Sequence, residues 1–118
     1  MIVTKDMWKT VDIPDKVLDF TLYKKYTEQD MDILRRGRLP LTMDDKWFWY
    51  FEENKLYMHR SWTGFCDYIV EFNVAKDTHK VIVNGDENQL VNMSIYQHRM
   101  IVEVTIDWWL KHYIDTVE

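Results

Sequence analysis

Between Tyr68 and Val74 apolar side chains fall at every second position, with Asp67, Ile69, Glu71 and Asn73 in between. That alternation predicts a half-buried β-strand. Two denser runs precede it, Trp47-Phe48-Trp49-Tyr50-Phe51 and Leu56-Tyr57-Met58-His59-Arg60, and Val81-Ile82-Val83 follows. Strands are therefore expected at about 46–52, 56–62, 66–74 and 79–84. Asn54, Thr63-Gly64 and Ala75-Lys76-Asp77-Thr78 separate them, and connections this short favour a four-stranded antiparallel meander.

Helical spacing appears on either side of the meander. Thr27-Glu28-Gln29-Asp30 reads as an N-cap followed by first-turn acids, Arg35-Arg36-Gly37 as cations and a stop, and Met31 with Leu34 as one apolar face. Ser94 and Gln97 have capping-box spacing, and Ile95, Val102, Ile106, Trp109 and Tyr113 follow at helical intervals. Val102, Val104, Thr105 and Ile106 are β-branched and keep a strand open as the alternative. Residues 1–24 suggest one or two short elements around Pro14. The chain is thus expected to be a single α+β domain over residues 1–118, with the C-terminal helix on one face of the sheet.

A two-residue turn at Glu53-Asn54 sets Phe51 opposite Leu56, Trp49 opposite Met58 and Trp47 opposite Arg60. A second tight turn at Thr63-Gly64 sets Arg60 opposite Asp67 and His59 opposite Tyr68. On this register His59 and Ser61 share the helix-covered face with Tyr68, Val70, Phe72 and Val74. The other face carries Trp47, Trp49, Met58, Arg60, Asp67 and Glu71. Such a face fits a stacking ligand, a protein partner or a cover formed by the N-terminal segment, with Arg60, Trp47 and Asp67 as a cation-π and ion-pair group.

Composition changes this picture only at the edges. The 118 residues are 47% hydrophobic, enough for a folded core. A net charge of -5 argues against nucleic acid, and the basic run Arg35-Arg36-Gly37-Arg38 reads as a helix end. Cys66 stands alone, which excludes an intrachain disulfide and a cysteine-rich zinc site and fits a reducing compartment. No stretch has signal-peptide character or the roughly 18 apolar residues of a membrane span. A cytoplasmic protein without membrane, metal or cofactor is expected.

Catalytic signatures are absent: there is no phosphate-binding glycine loop, no Gly-x-Ser-x-Gly and no His-Glu-x-x-His. His59 with Ser61 or Asp67, and Cys66 nearby, leaves a small hydrolase as one reading; a hydrogen-bonded core histidine is the other. The candidate ligand-binding set is Trp47, Trp49, His59, Arg60, Trp62 and Asp67.

The run from Leu39-Pro40 through Asp44-Asp45-Lys46-Trp47-Phe48, Leu56-Tyr57-Met58-His59-Arg60-Ser61-Trp62-Thr63-Gly64 and Val83-Asn84-Gly85-Asp86 resembles a small, uncharacterised bacterial family. That family has a Leu-x-x-His-Arg-Ser-Trp-Thr-Gly signature and occurs alone or joined to domains acting on ADP-ribose. The resemblance covers residues 39–113 and implies a shared role for His59–Gly64, near nucleotide or ADP-ribose metabolism. Where the family has Val-Asn-Arg-Asp, this chain has Gly85, so an anion contact by that arginine is not implied here. Three readings follow: a module binding a nucleotide-like small molecule or a protein segment, a hydrolase, and a structural domain that forms a homodimer.

Overall fold

Both helices begin at the expected caps: the Thr27 and Ser94 side chains accept from the amides of Asp30 and Gln97, three residues on. In the structure, a computed structural model that describes residues 2–113, these helices cover one face of an antiparallel sheet. In chain order the elements are β1 (Val17–Tyr23), α1 (Glu28–Arg36), β2 (Trp47–Glu52), β3 (Lys55–Arg60), β4 (Cys66–Glu71), β5 (Thr78–Asn84) and α2 (Ile95–His112). Short 3-10 turns lie at Lys5–Met7 and Val74–Lys76.

The sheet has five strands rather than four, in the order β1-β5-β4-β3-β2. The meander is as expected; the addition is β1, which closes the free side of β5 by pairing Leu18 with Val83 and Phe20 with Val81. Its exposed residues Val17, Leu18 and Tyr23 mask the alternation of Phe20 and Leu22, which is why residues 1–24 resisted reading. At the other margin Arg38 bridges to Trp49 through both backbone hydrogen bonds, each 2.9 Å.

The first hairpin folds as predicted. Glu53 and Asn54 both have positive φ, 51° and 65°, the geometry of a two-residue primed turn, and Trp47, Trp49 and Phe51 lie opposite Arg60, Met58 and Leu56. The second hairpin differs twice. Its turn is the four-residue Ser61–Gly64, closed by hydrogen bonds from the Arg60 amide to the Phe65 carbonyl and from the Gly64 amide to the Arg60 carbonyl, both 2.8 Å. It also contains a β-bulge: His59 pairs with Cys66, Met58 with Tyr68, and Asp67 is the additional residue.

The longer turn shifts the pairing by two and leaves the faces unchanged. The bulge shifts it by one, which exchanges them. The expected faces are corrected accordingly. Trp47, Trp49 and Met58 join Tyr68, Val70 and Phe72 beneath the helices, in one core with Met31, Leu34, Val102 and Ile106. His59 lies on the second face with Phe48, Tyr50 and Tyr57.

That second face is covered by the N-terminal segment. Val3 packs with Phe48 and Tyr50, Trp8 stacks on Phe48 at 6.4 Å, and the Val11 amide donates to the Gly64 carbonyl at 2.8 Å. Among the described residues no helix is long and apolar enough to cross a membrane.

Candidate functional site

Each residue of the His59–Gly64 turn has an identifiable structural task. His59 is buried, and its Nδ1 lies 2.8 Å from the Gly64 carbonyl. A carbonyl only accepts, so Nδ1 carries the proton and Nε2 is left as a lone-pair acceptor. Nε2 has no partner. The ring stacks on Tyr50 at 5.4 Å, and Tyr50 on Tyr57 at 4.6 Å. Burial lowers the His59 pKa below its ordinary value, against the opposing pull of the Gly64 carbonyl.

Arg60 stacks over Trp47 at 4.4 Å, and its Nε donates to Asp67 Oδ2 at 2.7 Å. Asp67 is fully buried, and its other oxygen has no hydrogen-bond partner among the described residues. Burial pushes its carboxyl above the usual range, and Arg60 offsets this only in part. The predicted pairing of Arg60, Trp47 and Asp67 is therefore present. Its setting is different, because Trp47 and Trp49 lie in the core and Trp49 has no exposed surface.

Ser61 is fixed by three bonds. Its hydroxyl donates to the Asp45 carbonyl at 2.7 Å, its amide donates to the Lys46 carbonyl at 2.9 Å, and its carbonyl accepts the Trp8 indole N–H at 2.7 Å. Trp62 donates its indole N–H to the Met43 carbonyl at 2.8 Å, yet the residue is 65% exposed. The Thr63 hydroxyl accepts the Phe65 amide at 3.1 Å. Gly64 sits at φ +80°, and a Cβ there would meet the Lys9 carbonyl oxygen at 3.1 Å, so both the backbone angle and the space favour glycine.

The product of this turn is an open groove of about 520 Å³ lined by Trp8, Lys9, Pro40, Leu41, Thr42, Met43, Ser61 and Trp62. Its volume lies within the range of small-molecule sites, roughly 300–1,000 Å³. Of the six expected ligand residues only Trp62 lines it. His59 and Arg60 hold the turn from beneath, while Trp47, Trp49 and Asp67 belong to the interior. Sequence reasoning missed Trp8 and Lys9, which come from a distant segment; the one available signal was an aromatic side by side with a cation ahead of the first strand.

A second cavity, of about 280 Å³, lies between the N-terminal segment and the sheet. Tyr50, Tyr57, His59, Cys66, Lys5 and Asp12 are among its walls. Burial pushes the Cys66 thiol up to about 12, which keeps it protonated and poorly nucleophilic at neutral pH. No group of three or more potential metal ligands occurs among the described residues.

The basic run also divides. Arg35 lies at the helix end as expected, where it pairs with Asp32, but Arg38 is buried. It pairs with Asp45 at 2.9 Å and lies over Trp109, Trp49 and Trp108 at 4.5, 5.2 and 5.6 Å. Gly85 is likewise structural: a Cβ would meet the Lys16 carbonyl oxygen at 2.8 Å. An arginine there would require the Lys16 backbone to move.

Comparison of the chain with protein-family models, curated proteins and solved structures finds no match.

Proposed function

We propose that this domain is a cytoplasmic binding module that takes a nucleotide-like or ADP-ribose-related small molecule in the groove built by the His59–Gly64 turn. The observation that carries the reading is the state of two indoles. Trp8 and Trp62 are each tied by N–H to a backbone carbonyl while contributing walls to the groove. Rings held in this way lose little freedom when a planar base stacks on them, so preorganisation favours binding. Lys9 supplies a cation for a phosphate on the same wall. The likeness of residues 39–113 to a family joined to ADP-ribose-processing domains points to the same ligand class.

A hydrolase using His59 with Asp67 or Ser61 has less support. The accepting nitrogen of His59 is shut away from solvent, the Ser61 hydroxyl is committed to a carbonyl, and Asp67 is bound to Arg60.

Thermal shift and tryptophan fluorescence with ADP-ribose, NAD and AMP test the proposal. The expected result is a raised Tm and a fluorescence change that Trp62→Ala removes without lowering the unliganded Tm. No response at millimolar ligand overturns the reading.

A further inference from the structure

The outermost line of α2 is apolar. Tyr96, Met100, Val104 and Trp108 recur at four-residue intervals and are 67%, 49%, 63% and 50% exposed. A surface helix ordinarily turns its polar side outward and one apolar stripe inward, and α2 already has an inward stripe in His98, Val102 and Ile106. Its charged residues Arg99, Glu103, Asp107 and Lys111 run beside the outer line and border it. Arg99 stacks over Phe20 and donates to the Thr21 carbonyl, Asp107 pairs with Lys24 at 3.1 Å, and Glu103 acts electrostatically on Tyr26. The line itself is made of uncharged side chains, and Glu103, Asp107 and Lys111 beside it form a charged rim.

Val104 and Trp108 continue into a groove of about 570 Å³ whose far wall includes Leu41, 61% exposed. The exposed parts of Leu41 and the four helix residues amount to on the order of 600 Å², at the top of the range for the largest patch on a monomer. A stable dimer buries roughly 800 Å² per partner, of which a polar rim supplies a share.

We infer that α2 is a homodimer interface, in which two copies of the chain pack their outer stripes antiparallel about a twofold axis. The order along the stripe is aromatic, aliphatic, aliphatic, aromatic. Antiparallel pairing sets Tyr96 against the partner copy's Trp108 and Met100 against its Val104, so the stripe is complementary to itself, as a twofold contact requires.

Sedimentation equilibrium of the full chain from about 1 µM to 1 mM tests this inference. The wild type is expected to dimerise, and Val104→Lys to shift the dissociation constant at least tenfold toward monomer with an unchanged circular dichroism spectrum and, at dilutions where both are monomeric, an unchanged melting curve. Trp62→Ala, which alters the ligand groove, is expected to dimerise as the wild type does, so the interface and the ligand reading stand or fall separately. A wild type that stays monomeric across the range overturns the inference. So does a folded Val104→Lys protein that dimerises normally.

Discussion

The two hairpins of the meander share β3, yet their turns do different work. Glu53-Asn54 only reverses the chain: both residues are exposed, and the side-chain bond there, from Asn54 to the Phe72 carbonyl, stays within the sheet. Ser61–Gly64 ties together parts of the molecule remote in sequence, holding the N-terminal segment through Trp8 and Val11 and the loop before β2 through Asp45 and Lys46. Two residues of positive φ are enough to reverse the first hairpin. At His59–Gly64, Ser61 and Trp62 line a groove and the other residues hold the turn in place.

Substitutions in the two turns should therefore separate widely. Arg60→Ala leaves the fully buried Asp67 without its cation, and about 3 kcal/mol of stability should be lost in urea unfolding. Gly64→Ala places a side chain at φ +80° against the Lys9 backbone and should cost about 2 kcal/mol by the same measurement. Either variant retaining wild-type stability would remove the distinction between the turns.

Acid should act on the second hairpin through His59 and on α2 through His98. The folded pKa of His59 lies below the unfolded value of 6.5, so the unfolded chain binds the proton first. The stability is complete above pH 6.5 and falls as pH drops through the interval down to the folded pKa. His98, lowered by burial in the same direction, adds to the slope. His59→Gln should flatten part of the decline in Tm between pH 7 and 5, whereas an unchanged slope would place the titration elsewhere. The smallest effect belongs to the first turn. Glu53→Asn at φ 51° supplies a residue that tolerates positive φ and should raise stability by about 0.5 kcal/mol.

Much of the fold was legible because it rests on local chemistry. Thr27 and Ser94 mark helix starts by cap spacing, Asn54 marks a primed turn, and period-two patterning finds β2 to β5. The face assignment failed on one residue, Asp67. A bulge is stabilised by tertiary contacts, here burial beside Arg60, and nothing in the local pattern of Cys66-Asp67-Tyr68 distinguishes it from regular alternation. The groove was legible in the sequence only through Trp62, for a related reason. Trp8 and Lys9 come to it through hydrogen bonds spanning some fifty residues, which periodicity does not record.

Nitrogen-15 NMR of the His59 ring tests directly whether the His59–Gly64 turn is architecture, with recognition left to the groove above it. Our account predicts a neutral ring protonated at Nδ1, bare at Nε2, and titrating below 6.5. A ring protonated at Nε2, or one titrating at or above 6.5, would contradict it.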